Sequence, residues 1–364
     1  MSSVQFRTLE DSDFPEWCAF HDAMYGKGYV LTDQEFLSWY LKKDGKYETL
    51  IAVDGKTVVG VYGVLQVPVR VKEHVYDGCW FVSGMVRSEY RNQGIGKTFV
   101  NMLLDRFDIC GIIGFNKGVQ RNYVRAGFKQ FDSKTLRRFV LVLRKNAYSL
   151  IQEKYRENMK QLLAPHYVHA WRCPVEALMR FDNSIVESFD EMKPYVTVNV
   201  HRTTEYLNWR YFQSPKVRYE CNAVFNAEKC RGYIIARHEQ FYPTSLYATR
   251  IIDLVGLPYY AGDLLAHIIN KAQMRNDAFI DFSYTGDFYT HVLKTYGFSE
   301  LLGENYGALP LVSSPMEYRE NEEFICLGSR KQPNLFDDVE FNDLYFTRGD
   351  SDRDRYNPLR EQSG

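Results

Sequence analysis

The sequence predicts an α/β protein of two related units in tandem, each a mixed, mostly antiparallel sheet flanked by helices. Three observations predict it. The chain has 364 residues, enough for two domains of ordinary size. An apolar run, Cys79 to Val86, turns through Gly94 and Gly96 into an amphipathic helix with apolar positions at Ile95, Phe99, Met102, Leu103 and Phe107. The same order of elements then recurs in the second half, and in each half a helix ends at a Gly-Phe pair, Gly127-Phe128 and Gly297-Phe298.

Taken in order, Val4 to Arg7 reads as a strand, followed by helices over Phe14 to Met24 and Asp33 to Leu41. Strands near Thr49 to Val53 and Thr57 to Val67 flank Asp54-Gly55, a hairpin signal. After the strand and helix around the two glycines comes a second apolar strand, Cys110 to Phe115, ending at Asn116, and a short helix carrying Tyr123. Phe128 to Phe131 and Arg137 to Leu143 are expected to close this first sheet, and Asn146 to Leu163 to form a charged helix. In the second half, Thr249 to Val255, Gly262 to Ala272, Ala278 to Ser283 and Asp287 to Tyr296 read as strand, helix, strand and helix. The expected boundaries are 1–145 for the first domain, 146–200 for a helix and connection, 201–330 for the second domain, and 331–364 for a polar tail, solvated or folded over a cleft.

Composition narrows the classes. Hydrophobic residues are 45% and charged residues 25%, as in a globular protein, and a net charge of −1 gives no field to attract nucleic acid. No run is long and apolar enough to span a membrane, and the first residues lack a secretory leader pattern, so the expected location is cytoplasmic. The seven cysteines form no C-x-x-C pair and read as reduced thiols. His166 and His169 lack a third ligand nearby, and the acidic series Asp350, Asp352, Asp354 and Glu361 has Arg355 where a calcium loop requires glycine, so no metal is expected.

The stretch Arg91-Asn92-Gln93-Gly94-Ile95-Gly96-Lys97 carries the chemistry. A helix N-terminus presents backbone N–H groups without intrahelical acceptors and the positive end of the helix dipole, which together suit a phosphate or pyrophosphate. Glycines let the ligand approach the backbone, and Arg91 and Lys97 add charge. With Asn116, Tyr123, Gly127 and Phe128 following in order, the segment from about Val4 to Leu143 resembles the GCN5-related N-acetyltransferase (GNAT) superfamily.

The resemblance implies acyl transfer from an acyl-CoA to an amine. The loop Arg91 to Lys97 and Asn116 would hold the CoA, and the strand end Met85-Val86 would pair with its pantetheine arm and polarise the thioester. Tyr123 matches the family tyrosine that donates to the departing sulfur; a phenol suits that general acid role. The second copy reads as degenerate: Leu257-Pro258-Tyr259-Tyr260-Ala261-Gly262 replaces the loop, and Leu293 stands where the first copy has Tyr123. Ile113-Gly114-Phe115-Asn116 corresponds to Ile280-Asp281-Phe282-Ser283. For the base that frees the amine, the candidates are His21, Asp77, His201, Asp281 and His291, with Asp281 preferred because it sits near a strand end of the second copy.

The tandem, with Tyr206 to Tyr211, is similar to N-acyltransferases of surface-polysaccharide clusters, which implies acetyl-CoA or a short hydroxyacyl-CoA as donor and a nucleotide-linked amino sugar as acceptor. On that reading Arg210 or Arg250 meets a pyrophosphate, Ser283 and Tyr284 line the acceptor, and the tyrosines at 242, 247, 259, 260, 284 and 289 stack a base or a sugar. The alternatives are another small amine or a protein lysine as acceptor, or a non-catalytic acyl-CoA-binding module. Oligomeric state is not readable from the sequence.

Overall fold

The computed structural model describes residues 4–115, 117–159, 162, 170, 172–313, 316–319 and 324–354. Contacts divide the chain into two units, one of residues 1–134, 323–339 and 350–364, the other of residues 135–322 and 340–349.

The first unit begins with strand β1 (Gln5–Thr8) and helices α1 (Phe14–Tyr25) and α2 (Gln34–Leu41). Then come β2 (Leu50–Asp54), the long hairpin of β3 (Thr57–Val71) and β4 (His74–Val86), α3 (Ile95–Arg106), β5 (Ile109–Ile113), α4 (Lys117–Arg125) and β6 (Lys129–Thr135). The sheet order is β1, β2, β3, β4, β5, Phe324–Gly328, β6. Pairing is antiparallel from β1 through β4 and between β5 and Phe324–Gly328, while β4 and β5 run parallel. Strand β3 is valine-rich and buried along nearly its whole length, the pattern of a strand covered on both faces. Helix α3 buries Ile95, Phe99, Val100, Leu103 and Leu104, one helical stripe, against the sheet. Gly60 on β3 permits that docking, since a Cβ there would stand 3.1 Å from Ile95.

The second unit contains β7 (Arg137–Val142), β8 (Val175–Ala177), α5 (Thr204–Phe212), β9 (Glu220–Asn226), β10 (Lys229–Gln240) and β11 (Tyr247–Gly256). It continues with α6 (Pro258–Met274), β12 (Phe279–Tyr284), α7 (Thr290–Thr295) and β13 (Ser299–Leu301). The sheet order is β8, β9, β10, β11, β12, β7, β13, with β11 and β12 parallel and the other pairs antiparallel. Pro258 starts α6 at a position where a missing N–H costs nothing, and the helix buries Leu264, Leu265, Ile268 and Ile269.

The expected fold class holds: each unit has a mixed, mostly antiparallel sheet with helices. Three expectations change. Arg137 to Leu143 does not close the first sheet; β7 lies in the second unit's sheet between β12 and β13, and Phe324–Gly328 takes the corresponding place in the first. Asn146 to Leu163 is not one helix: 3-10 turns at Lys145–Leu150 and Glu153–Tyr155 precede a short helix at Arg156–Met159, with Leu163 outside the described residues. The polar tail is not a solvated appendage over its described length. Phe341, Leu344, Tyr345 and Phe346 are buried, Leu344–Tyr345 pairs with Val198–Val200, and Asp350, Asp352 and Asp354 are buried too. Lys129 Nζ donates to the carbonyls of Phe336 and Val339, both at 2.7 Å, fixing the segment after Phe324–Gly328.

Candidate functional site

The parallel pair β4–β5 is short. Gly78, Cys79 and Trp80 face Ile109, Cys110 and Gly111, and there the pairing stops although β4 continues to Val86. At the last paired position Trp80 fills the space Gly111 leaves open; a Cβ on Gly111 would lie 2.4 Å from its ring. Beyond it β4 bulges: Ser83 has φ +52°, and the register with β3 slips between Val61 and Gly63. A bulge bends a strand and raises its twist, so β4 turns away from β5. Among the described residues Phe81 to Val86 therefore have no strand partner on the β5 side, which leaves a strand edge able to pair with an extended ligand. Met85 and Val86 lie on this segment, half-buried, and Val86 also accepts from Arg91 Nε at 3.2 Å.

The glycine loop follows directly. Asn92 and Gly94 take left-handed φ values of +63° and +83°, which turns the chain into α3. The first helical bond runs from the Thr98 amide to the Gly94 carbonyl at 2.9 Å, and none of the N–H groups from Asn92 to Lys97 meets an acceptor among the described residues. A Cβ built on Gly94 or Gly96 meets nothing within 4 Å, so the space over these amides is open. Arg91, Asn92, Gln93 and Lys97 are exposed, whereas Ile95 turns inward and anchors the loop in the core. These amides, with no Cβ above them, fit the pyrophosphate of a CoA. Arg121 and Arg125, one turn apart on α4, line a recess of about 640 Å³ with Gly118, Gln120 and Val124. Asn116 lies outside the described residues.

Tyr123 sits on α4, 8% exposed, ringed by Phe81, Phe115 and Phe128. Its hydroxyl lies 2.6 Å from that of Tyr62 on β3. Burial pushes the Tyr123 phenol up to about 12, and the bond from Tyr62 pulls the other way. Tyr62 escaped the sequence reading. The signal was a tyrosine among the valines of β3, in an otherwise apolar strand.

The second unit holds a comparable parting of strands, and it is filled. β11 and β12 pair from Ala248–Phe279 to Ile251–Phe282 and then separate. On β11 the carbonyl of Gly256 accepts from the Tyr289 hydroxyl at 2.7 Å, that of Leu254 accepts from Tyr345, and the Gly256 N–H meets Met192 Sδ at 3.1 Å. Tyr284, Tyr289 and Tyr345 pack as a ring cluster there. At the helix start the amides of Tyr260 and Ala261 both reach the Leu257 carbonyl at 2.9 Å. The strand edge that stays open in the first unit is thus spent here on the protein itself, and at the helix start Pro258 offers no N–H and the Tyr260 amide is taken. Leu293 is buried as a core residue.

The remaining predicted residues of this unit are structural. Asp281 is fully buried, accepting from Arg138 at 3.1 Å and Arg348 at 3.0 Å. Burial would raise its pKa, but Arg348, Arg250 and Arg138 outweigh that and hold the carboxyl well below its usual range. A carboxylate so held has little affinity for a proton, so the expected base role does not fit. Arg250 pairs with Glu239 at 2.9 Å and donates to the Leu311 carbonyl at 2.5 Å, while Arg210 donates to the Gly349 carbonyl at 2.9 Å. Ser283 and Tyr284 are fully buried, and the Tyr284 hydroxyl is bonded to Thr290 and Tyr289. The expected acceptor wall of Arg210, Arg250, Ser283 and Tyr284 is thus interior packing. Of the other base candidates, His21 is buried with Nδ1 donating to the Trp17 carbonyl at 2.9 Å, Asp77 accepts from Gln66, and His291 is exposed. Among the described residues no group of three or more His, Cys, Asp or Glu is placed to hold a metal, and no helix is long and apolar enough to cross a membrane.

Residues 5–110 match the family model of the Acetyltransferase (GNAT) domain. No curated protein matches the sequence. Solved structures share the fold at low identity. A GCN5-related N-acetyltransferase from Anabaena variabilis superposes with TM-score 0.56 at 14% identity, covering 89% of this chain and 72% of that one. A probable N-acyltransferase of unknown function from Enterococcus faecalis gives 0.55 at 12% identity, with the same coverages of 89% and 72%. An N-myristoyltransferase from Saccharomyces cerevisiae, solved with bound myristoyl-CoA, gives 0.56 at 10% identity over 90% of this chain and 83% of that one.

Proposed function

We propose that this protein is an acyl-CoA-dependent N-acyltransferase, moving an acetyl or short hydroxyacyl group to the amine of a nucleotide-linked amino sugar by direct attack in a ternary complex. One observation carries the acyltransferase reading: β4 leaves β5 at Trp80 and leads, through a 3-10 turn at Ser88–Tyr90, into a glycine loop whose amides have no acceptors among the described residues. The loop Arg91 to Lys97 would hold the pyrophosphate through backbone N–H groups, with Arg91 and Lys97 supplying charge, and Arg121 and Arg125 stand ready for a further phosphate. The free edge of Phe81 to Val86 would pair with the pantetheine arm and point amides at the thioester oxygen. Tyr123 would protonate the departing sulfur. Since Asp281 is sealed in an ion network, water is the proton acceptor proposed for the amine.

The acceptor class rests on the sequence resemblance and on aromatic surface in the first unit. Tyr25, 47% exposed, stacks on Tyr29 with centroids 4.2 Å apart, and the Tyr29 hydroxyl is 2.9 Å from Ser83 Oγ in the β4 bulge. That places a flat ring face beside the strand that would carry the thioester, a surface suited to a sugar or a base. The test is a thiol-release assay with acetyl-, hydroxyacyl- and myristoyl-CoA against amino sugars, nucleotide-linked amino sugars, polyamines and a lysine peptide. Turnover confined to the nucleotide-linked amino sugars is the expected result. No turnover with any amine, despite CoA binding, would refute the enzyme reading.

A further inference from the structure

The two hydroxyls of Tyr62 and Tyr123 pose a counting problem. They lie 2.6 Å apart, and each residue is nearly sealed, 6% exposed for Tyr62 and 8% for Tyr123. Two hydroxyls own two hydrogens, but one bond between them uses only one. Among the described residues neither oxygen has another protein partner, so one buried hydrogen lacks an acceptor, an arrangement folded proteins rarely leave unresolved. Tyr62 is the more enclosed of the two. Tyr62 is wedged between Phe81 and Phe99, its ring so close to the backbone of β4 that a Cβ on Gly84 would come within 2.6 Å of it. Among the described residues Tyr123 is the one hydrogen-bond partner of its hydroxyl, and donation to it would satisfy the Tyr62 hydrogen. The uncommitted hydrogen is then that of Tyr123.

Resting on the acyltransferase reading above, we propose that Tyr62 is a positioning residue for Tyr123: it donates its hydroxyl hydrogen to the Tyr123 oxygen, which aims the Tyr123 hydrogen away from Tyr62 and toward the thioester sulfur. In the step this serves, a C–N bond forms and the C–S bond breaks. Sulfur leaves with the bonding pair and takes the Tyr123 proton, and water takes the surplus proton of the amine. The Tyr123 phenolate keeps the hydrogen bond from Tyr62 until solvent returns a proton. Burial raises both phenols, and the shared bond then favours ionisation of Tyr123 and opposes that of Tyr62.

Tyr62→Phe in the full chain keeps the ring and removes the donor. CoA affinity and KM for acyl-CoA should hold, kcat should fall about tenfold, and ionisation of Tyr123 should move up by about one pH unit. Ionisation is followed by NMR of tyrosine labelled at Cζ, with the Tyr123 signal assigned by its loss in Tyr123→Phe, and needs no turnover. An unchanged Tyr123 titration, or a shifted titration with unchanged kcat, overturns the proposal. If Tyr62→Phe does not fold, 3-fluorotyrosine at position 62 keeps the packing and strengthens the donor; ionisation of Tyr123 must then move down, and failure to do so overturns the proposal. The two readings fail differently. Absence of wild-type turnover removes the acyltransferase reading and this one with it, whereas an active wild type with an indifferent Tyr62→Phe removes this one alone.

Discussion

Gly96→Ala should stabilise the protein and weaken its grip on CoA, two effects of opposite sign from one methyl group. Gly96 is the second residue of α3, and a Cβ built there meets no protein atom within 4 Å. The folded protein therefore pays no steric penalty. Alanine is favoured over glycine in a helix by about 0.5–1 kcal/mol, and in the first turn a gain of roughly 0.5 kcal/mol is reasonable, a rise of about 1–2 °C in melting temperature for a domain of this size. The Cα–Cβ bond of a helical residue tilts toward the helix N-terminus, so the methyl would stand over the open amides from Gly94 to Lys97. Pushing a pyrophosphate off even one such N–H forfeits a charge-assisted bond of about 1.5–3 kcal/mol, or roughly 10- to 100-fold in Kd. Thermal unfolding without ligand and calorimetric titration with CoA measure the two effects separately. A Gly96→Ala variant that binds CoA like the wild type would refute the assignment of this loop as the phosphate cradle.

Other outcomes follow from the same geometry. Gly94→Ala should lose both properties, because at φ +83° an alanine is strained by about 1–2 kcal/mol while its methyl also enters the open space. Asp281→Asn leaves the guanidinium groups of Arg138 and Arg348 without their carboxylate and should cost about 3–5 kcal/mol in denaturant unfolding; a small loss would restore Asp281 as a functional candidate. The depressed pKa of Asp281 contributes stability above the unfolded carboxyl value of 3.8, and this should be lost as pH falls through the lower folded value. Tyr123 has the opposite sign: with a folded pKa of about 12 against 10.0 unfolded, its contribution is full below pH 10 and should fade between pH 10 and 12, an alkaline loss that Tyr123→Phe should reduce.

The glycine loop between β4 and α3 was legible because its causes are local. Glycines at a strand–helix junction, a stripe from Ile95 to Leu103 and charges at Arg91 and Lys97 all lie within one short stretch. Tyr123 was legible through its order relative to the Gly127-Phe128 stop. The misread residues had causes far away in the chain. Asp281 looks like a strand-end carboxylate until Arg138, Arg250 and Arg348 converge on it from three separate segments. Arg210 and Tyr284 look like ligand-binding side chains because the sequence does not say that Arg210 shares the buried stripe of α5 with Tyr206, Leu207 and Tyr211, or that both faces of β12 are buried. Tyr62 lies 61 residues from its hydroxyl partner, beyond the reach of any periodicity.

The exchange of closing strands has a consequence for how this gene can be cut. A fragment ending at Leu143 would carry the glycine loop and Tyr123 yet lack Phe324–Gly328, leaving β5 with a bare hydrogen-bonding edge where Ile112 and Ile113 should be paired. Its surplus segment Arg137–Val142 would have no sheet to enter, since β12 and β13 are encoded later. On the ribosome the first sheet cannot be completed until synthesis has passed Gly328, so the half that is made first is finished last. Phe324–Gly328 belongs to the first unit although it is encoded after residues 135–322, so a truncation before it removes a strand from the first sheet for a reason unrelated to ligand binding.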